Sequence, residues 1–330
     1  MIQGSENPQP EPMPRRAPHI SYRMTDPARA LDEPGTLAVF GFGADAPLHQ
    51  DPRWLRVALE PFEEPAALEV WQVDGPVRHG HDGPVRWSDG DGWLFAALEL
   101  DENDHGGPDA TAAKAYRLLH QFVTNRAEHH VLRVWNYLDA INQGEGDDER
   151  YKRFCDGRVA GMGDFFIDGF PAATAIGHHA GAQQLQVYLL ASDQPGTAVE
   201  NPRQTSAWRY PRQYGRTPPS FARATILPAG DALAISGTAA VVGHASAHAD
   251  DLQQQLLETF TNLDALLRNA GMPSGLDTHS PLKAYVRCPG DAAQVRRFIH
   301  ERLPGVPVLL LHGDICRGEL LVEIDGWRYA

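Results

Sequence analysis

The stretch Cys316-Arg-Gly-Glu-Leu-Leu-Val-Glu-Ile-Asp-Gly326, near the end of this 330-residue chain, is the first guide to its fold. Leu320, Val322 and Ile324 are spaced two residues apart, which predicts a half-buried strand. Glu323 lies between two of these apolar positions, where a carboxylate tends to have a raised pKa and can transfer protons. By itself the alternation favours another interpretation, in which Glu323 lies on the solvated face of an edge strand.

Two segments of the chain share one order of predicted elements, strand-helix-strand-helix-strand-strand. The first has strands at 93–100, 131–138, 170–177 and 184–191 and helices at 109–126 and 150–158; the second has strands at 232–240, 282–288, 306–312 and 319–325 and helices at 250–270 and 291–302. Arg153, Phe154 and Arg158 each stand 144 positions before a matching residue, Arg297, Phe298 and Arg302. We therefore predict an α+β fold made of two repeats, each a mixed β-sheet with helices on one face. Two unrelated α/β domains are the alternative.

The predicted domain organisation has four parts. Residues 1–35 form a proline-rich arm that is disordered or extended, and residues 36–191 form the first domain. Residues 192–220 form a connecting loop, and residues 221–330 form the second domain, which carries Glu323. Because three aromatic residues alternate with arginines in the loop, we expect it to line a site rather than to act as a solvated linker.

The arginines and tyrosines of this region suit a ligand that carries carboxylates. Arginine pairs with a carboxylate through two parallel hydrogen bonds, and tyrosine adds a hydroxyl donor and a flat wall. Tyr210, Tyr214 and Arg216 lie within the loop. Arg223 follows it among apolar residues, and there it either pairs with a structural carboxylate or faces the ligand.

Composition narrows the possible partners and the location. The formal net charge of −14 argues against nucleic acid and anionic membranes as partners. The three cysteines are scattered, which is typical of a reducing compartment, and we find neither a signal peptide nor a long apolar run, so we expect a cytoplasmic protein. The paired histidines lack the glutamate of the zinc protease pattern, so they are expected to be exposed and no metal site is predicted.

Beyond these patterns, the last strand resembles that of the RidA/YjgF fold, a chorismate-mutase-like α+β unit, and the chain from about residue 36 resembles the chorismatases. Four segments carry the second resemblance: Val134–Asn142 (VWNYLDAIN), Gly146–Arg158 (GDDERYKRFCDGR), Tyr214–Ala224 (YGRTPPSFARA) and Ile235–Ala239 (ISGTA). The resemblance implies an enzyme that removes pyruvate from chorismate without a metal or organic cofactor, in a pocket between the repeats.

The resemblance also implies roles for individual residues. Glu323 would be the catalytic acid and base, and the substrate would be bound by Tyr151, Tyr214 and Arg223, assisted by Tyr210 and Arg216. A cysteine seven residues before the glutamate is a feature of the benzoate-forming members, and Cys316 has this position. Cys316 would act by shape and by excluding water, and the expected product is 3-hydroxybenzoate, with 4-hydroxybenzoate as a further product in bifunctional members.

Three other activities stay open at this point. The enol ether of chorismate could be hydrolysed to a dihydroxycyclohexadiene carboxylate, or the chain could be a RidA-like metabolite-binding protein without catalysis. Imine hydrolysis, known in the wider fold, uses an arginine at a position that counting along the chain assigns to Val308, so the missing arginine argues against this third activity. RidA relatives are trimers, but a duplicated chain can build its pocket internally, so a monomer is favoured.

Overall fold

Two copies of one α+β unit and a smaller third sheet make up residues 15–330, the part of the chain described by the computed structural model. The strands are β1 His19–Arg23, β2 Thr36–Phe42, β3 Trp54–Val57, β4 Glu60–Pro61, β5 Leu68–Gln72, β6 Arg78–Asp82, β7 Val85–Gly90, β8 Trp93–Asp101, β9 His130–Asp139, β10 Ala172–His178, β11 Gln184–Ser192, β12 Thr197–Val199, β13 Ala224–Ile226, β14 Ala232–Thr238, β15 Val241–Val242, β16 Ala245–Ser246, β17 Leu282–Val286, β18 Val308–His312, β19 Asp314–Ile315 and β20 Val322–Tyr329. The helices are α1 Pro27–Asp32, α2 Pro108–Thr124, α3 Arg150–Met162, α4 Leu252–Asn269 and α5 Ala292–Arg302.

The two larger sheets have the same topology. One contains the order β10-β9-β11-β8 and the other the order β18-β17-β20-β14, with a single parallel pair in each, β9 with β10 and β17 with β18. The predicted duplication is confirmed, and the alternative of two unrelated domains is wrong. When Tyr137 is aligned with Tyr285, their antiparallel partners Gln186 and Glu323 become equivalent positions of the two repeats.

Each repeat carries its two long helices on one face of its sheet. Helices α4 and α5 cover the second sheet, and their apolar stripes pack against Val322 and Ile324 of β20. Since side chains alternate across a strand, Glu323 and Asp325 lie on the opposite face, which points toward the first repeat. β20 is a central strand between β14 and β17. The interpretation of Glu323 as a residue on the solvated face of an edge strand is therefore wrong.

Two glycines bring the helices of the first repeat unusually close together. A Cβ atom added at Gly157 of α3 would overlap the backbone of Asp109 in α2, and one at Gly161 would overlap the backbone of Ala113. The helices can approach this closely only because glycine has no side chain. This approach fixes α3, which carries Tyr151 and Arg158.

The third sheet is a feature that the sequence analysis missed. It has the order β1-β5-β2-β3 and lies N-terminal to both repeats. The predicted arm at 1–35 is wrong for its second half, because β1 pairs with β5 and α1 buries Ala30 and Leu31; residues 1–14 lie outside the described residues. Residue 36 also does not begin a repeat, since residues 36–72 build this separate sheet.

The inner faces of all three sheets meet in one aromatic core. Phe40 and Trp71 come from the third sheet, Trp135 and Tyr188 from the first repeat, and Trp327 from the second, and all five are buried. Trp135 and Tyr188 stack with ring centroids 4.8 Å apart. Large aromatic side chains provide much of the buried area in such cores, so the third sheet is an integral wall of the fold. None of the helices within residues 15–330 combines the length and the apolar character needed to cross a membrane.

Candidate active site

A cavity of about 240 Å³ lies between the two repeats. Its walls come from α3, from β10, from the segment 204–223, from β14 and from the end of the chain leading into β20. Six of the seven predicted site residues line it: Glu323, Cys316, Tyr151, Tyr210, Tyr214 and Arg223. Residues that lie far apart in the sequence are therefore brought together as expected.

The cavity is located where the first sheet meets the second. β10 is held there by side chains of the second repeat, since Thr225 Oγ1 accepts a hydrogen bond from the Ala172 amide at 3.0 Å. Ser236 Oγ likewise accepts one from the Ala173 amide at 2.9 Å. Buried backbone groups that are satisfied in this way hold the wall in one position. The backbone of β10 therefore forms a fixed wall on one side of the cavity.

Glu323 presents its carboxyl group to this cavity in an unusual state. Its side chain is almost completely buried, and it forms no hydrogen bond or ion pair within residues 15–330. Burial, helped by the charge of Asp325, raises its pKa to about 8 against the opposing effect of Arg133, Arg223 and Arg317. A carboxylic acid that stays protonated near neutral pH can donate a proton to a bound molecule.

Gly237 of β14 leaves the space that the Glu323 carboxyl occupies. A methyl group added at Gly237 would overlap this carboxyl group, and the backbone of Gly237 does not need a positive φ angle. Gly237→Ala is therefore expected to fold normally but to displace the carboxyl, lowering kcat/KM by about 10²-fold. Steady-state kinetics measures the effect, and Gly290→Ala, which has no neighbour within 4 Å among the described residues, is the control. Equal rates for both variants would contradict this prediction.

The two thiols in the cavity are protonated groups rather than nucleophiles. Burial, with a smaller contribution from the nearby Glu323 charge, raises the pKa of Cys316 to about 12. Burial likewise raises the pKa of Cys155 to about 12. Since the thiolate is the reactive form, neither cysteine is activated. Tyr151 lies beside both thiols, and its burial raises its pKa well above the usual range, so its hydroxyl stays a neutral donor.

Three arginines, Arg158, Arg223 and Arg317, line the cavity. Arg223 is buried and forms no ion pair within the described residues, which decides between its two sequence interpretations in favour of the cavity. Its Nη2 donates to the Tyr210 hydroxyl at 2.6 Å. Arg317 lies over the Tyr214 ring at 4.0 Å and donates to the His244 carbonyl at 2.8 Å.

Arg158 is a functional candidate that the sequence analysis did not select. Only 4% of it is exposed, it lines the cavity, and its Nε and Nη2 have no hydrogen-bond partner in the part of the chain that the structure describes. Its guanidinium lies 5.0 Å from the Tyr116 ring centroid. A buried guanidinium with unused donors is costly unless a ligand completes its hydrogen bonds. Its place in the Gly146–Arg158 segment is the signal in the sequence that points to it.

Arg216 does not belong to the cavity. Its Nε pairs with Asp147 Oδ2 at 3.1 Å, its side chain is 61% exposed, and Arg212 pairs with the same carboxylate at 2.6 Å. The prediction that Arg216 assists in substrate binding is therefore not supported by its position. Arginines in loops often pair with surface carboxylates, and the sequence does not distinguish this from ligand binding.

Val308 lies where an arginine would not face the cavity. It begins β18, pairs with Leu282 and packs on the helix-covered face of the sheet, away from the cavity lining. The cations near Glu323 come instead from Arg317 and Arg223. The absence of an arginine at residue 308 therefore says nothing about the chemistry of this cavity.

Known proteins resemble this chain over most of its length. A family model described as "Chorismatase FkbO/Hyg5-like, N-terminal" matches residues 69–191. A chorismatase from Streptomyces hygroscopicus is 38% identical over 277 residues, which cover 80% of each chain. A 3-hydroxybenzoate synthase from the same organism is 34% identical over 286 residues, 81% of this chain and 83% of the relative. A chorismatase crystal structure superposes with a TM-score of 0.84 at 32% identity, covering 96% of this chain and 100% of the other.

A fold shared over nearly the whole chain, together with a cavity that holds a protonated carboxylic acid and three arginines, defines an enzyme built on a duplicated α+β unit. The identity and coverage of the relatives make the assignment specific. The chain belongs to the chorismatase family. The resemblance found in the four sequence segments is thereby confirmed, and the segments Gly146–Arg158 and Tyr214–Ala224 both contribute residues to the cavity.

Proposed function

We propose that this enzyme converts chorismate to 3-hydroxybenzoate and pyruvate. The observation that carries the proposal is the Glu323 carboxyl, which is buried, protonated up to about pH 8 and free of hydrogen bonds to residues 15–330, at the wall of an arginine-lined cavity. One relative is named a chorismatase and another a 3-hydroxybenzoate synthase, and both support this substrate and product.

The proposed reaction needs one proton and returns one. Glu323 donates its proton to the methylene carbon of the enolpyruvyl group, which creates a cationic carbon next to the ether oxygen. The bond between ring carbon 3 and the ether oxygen then breaks and pyruvate leaves, while the ring 4-hydroxyl oxygen bonds to carbon 3. The hydroxyl proton passes to the Glu323 carboxylate. The three-membered ring formed in this way opens by cleavage of the bond between carbon 4 and the oxygen, which stays on carbon 3. Carbon 3 loses its proton and the oxygen takes one up, so the aromatic product forms with no net gain or loss of protons and no water is consumed.

The arginines explain how a protein with a net charge of −14 can bind a dianion. Arg158, Arg223 and Arg317 concentrate positive charge in the cavity, and tyrosine hydroxyls stand beside them. We assign the two substrate carboxylates to these cations, with Tyr151, Tyr210 and Tyr214 as neutral donors. Charge-assisted hydrogen bonds of this kind are about twice as strong as neutral ones.

Cys316 is assigned the role of a wall that keeps water from the reacting carbon. Cys316→Ala removes the sulfur atom and leaves space beside Glu323, so water can compete with the 4-hydroxyl and the fraction of dihydroxycyclohexadiene carboxylate is expected to rise. Chromatography of the products measures this ratio. Cys288→Ala is the matched control, because Cys288 is exposed and remote from the cavity lining. An unchanged product ratio in Cys316→Ala would remove this role.

The deciding experiment is incubation of the pure protein with chorismate, followed by chromatography of pyruvate and of the aromatic fraction. 3-Hydroxybenzoate in equal amount to pyruvate is the expected result, with 4-hydroxybenzoate as a minor product if the enzyme is bifunctional. The dihydroxycyclohexadiene carboxylate as main product would identify a hydrolase. A ligand-dependent rise in melting temperature without pyruvate would identify a binding protein and overturn the proposal.

The proposal is for a monomer. The inner faces of the two repeats meet a third sheet that the same chain provides, and the cavity takes its walls from one chain. No second copy is needed to complete the site.

A further inference from the structure

Asp325 is a completely buried carboxylate two residues after Glu323 on the same face of β20. One of its oxygens, Oδ2, accepts four hydrogen bonds. The donors are Arg133 Nη2 at 3.0 Å, Trp135 Nε1 at 3.0 Å, Thr174 Oγ1 at 2.7 Å and the Tyr285 hydroxyl at 2.9 Å. Four donors on one oxygen, one of them a guanidinium, are the environment of an ionised carboxylate.

The proposed reaction does not use this carboxylate directly. Asp325 is not part of the cavity lining, and its second oxygen, Oδ1, has no hydrogen-bond partner within residues 15–330. Only one layer of side chains separates it from the cavity, because Thr174, which donates to Asp325, lines the cavity and accepts a hydrogen bond from the Gly237 amide at 3.0 Å. Gly237 in turn adjoins the Glu323 carboxyl. A fixed negative charge therefore lies directly behind the acid.

We infer that Asp325 is a positioning residue that keeps Glu323 in its protonated form until the substrate arrives. The inference rests on the function proposed above. A buried negative charge disfavours a second one nearby, so the Asp325 charge opposes ionisation of Glu323. Because Asp325 Oδ2 accepts four hydrogen bonds, one of them from Arg133, whereas the Glu323 carboxyl accepts none within residues 15–330, negative charge is stabilised on Asp325 and the proton is held by Glu323.

Three arginines near Glu323 act in the opposite direction, and the cavity lining also holds Arg158, Lys152 and two further carboxylates, Glu149 and Glu319. Arg133 on β9, Arg223 before β13 and Arg317 before β20 favour the ionised form of Glu323. The neutral neighbours are Tyr285, opposite Glu323 on β17, and the cavity groups Tyr151, Cys155 and Cys316. The carboxylates of a bound dianion would neutralise Arg223 and Arg317 but leave Asp325 unchanged. Binding would therefore hold the proton on Glu323 more firmly.

A further chain of buried polar groups leads from Asp325 to the third sheet. The Tyr285 hydroxyl lies 3.0 Å from the Tyr137 hydroxyl, which lies 3.1 Å from the Tyr188 hydroxyl. Lys283 Nζ donates to the Tyr188 hydroxyl at 3.3 Å. Lys283 also forms a buried ion pair with Glu69 of β5 at 3.1 Å. Burial alone would lower the pKa of Lys283, but Glu69 and other neighbours raise it above its usual range, so the two side chains form one buried ion pair. Asp325 is the carboxylate whose charge raises the pKa of Glu323.

The test compares Asp325→Asn with the wild type by two measurements. The first is the titration of the Glu323 carboxyl by NMR of protein labelled with ¹³C at the glutamate carboxyl, with Glu323→Gln used for assignment. The second is the pH dependence of kcat/KM for chorismate. In Asp325→Asn the repelling charge is lost and Arg133 remains, so the Glu323 midpoint and the high-pH limb of the profile are both expected to move to lower pH by about one unit or more.

The control is Asp89→Asn. Asp89 is also a buried carboxylate paired with arginines, Arg78 and Arg126, but it lies on β7 away from the cavity. This control is expected to lower the melting temperature without moving the titration of Glu323. A purely structural role for Asp325 would give the same result in both variants and would overturn the inference.

If Asp325→Asn does not fold, Tyr285→Phe decides instead. It removes one hydrogen-bond donor from Asp325 but keeps the negative charge of this carboxylate. With one donor fewer, that charge opposes ionisation of Glu323 more strongly, so the pH midpoint of the Glu323 titration is expected to rise. An unmoved or lowered midpoint overturns the inference. Because the NMR titration needs no turnover, the inference can fail while chorismate is still converted, and the proposed function can fail while the midpoint shifts as expected.

Discussion

Replacing Glu323 by glutamine is expected to lower kcat/KM for chorismate by about 10²–10⁴-fold, the usual contribution of a general acid and base. Glutamine has nearly the same shape but no transferable proton, so substrate binding is expected to persist. Steady-state production of pyruvate measures the loss, and the change in melting temperature on adding chorismate measures binding. A rate near that of the wild type would remove Glu323 from the mechanism.

The stability of the same variant separates lost chemistry from lost folding. In the folded chain the carboxyl has a pKa of about 8, raised by burial from the ordinary value of 4.5, so between these pH values the folded state binds more protons than the unfolded state. The free energy of unfolding therefore falls as the pH rises through this range. Glutamine avoids this loss, and Glu323→Gln is expected to melt at or above the wild-type temperature at pH 8. A clear decrease would point to misfolding as the cause of inactivity.

The second large effect is expected at Arg158. Arg158→Met keeps much of the side-chain volume but removes the unused guanidinium donors that face the cavity, and kcat/KM is expected to fall by about 10–150-fold, the range for hydrogen bonds to charged groups. Because a carboxylate is bound both before and during the reaction, most of the loss is expected as a higher KM with a smaller change in kcat. Initial rates over a range of chorismate concentrations separate the two parameters.

The matched control is Arg216→Met. Arg216 lies outside the cavity and is exposed, and its ion pair with Asp147 is of the surface kind, which contributes about 0–1 kcal/mol to stability. Its KM and kcat are expected to stay within about twofold of the wild type. An equal loss in the two variants would mean that Arg216 moves into the site when substrate binds. It would contradict the prediction that Arg158, and not Arg216, binds a substrate carboxylate.

The repeats were predictable because their signals are long and redundant. An 18-residue helix such as α4, with a regular apolar stripe, and strands with two-residue alternation leave little freedom for another assignment. The third sheet lacked such signals. Its strands are at most seven residues long, β2 is buried along its whole length and so shows no alternation, and β1 becomes a strand only through pairing with β5.

The site was only partly predictable for a related reason. Glu323 and Tyr151 belong to segments with a recognisable family pattern, and Arg158 ends the same segment as Tyr151, but within the sequence it looks like an ordinary polar residue on a helix. Its burial depends on the close approach of α2 and α3 and on the aromatic rings around it, which are tertiary features. Arg216 shows the converse, since nothing within a loop sequence tells a ligand-binding arginine from one that pairs with a nearby aspartate.

The duplication has a consequence for how this enzyme can change. In a symmetric oligomer every substitution appears in each subunit, so a residue that suits one wall of a site must be tolerated at all equivalent positions. Here the position equivalent to Glu323 is Gln186, which donates to the Arg56 carbonyl and accepts from the Ala58 amide, and so fastens the first repeat to the end of β3. The two repeats therefore use this position differently: the second carries the acid Glu323, and the first carries Gln186, which holds neighbouring backbone in place. Selection can therefore adjust each wall of the single site independently.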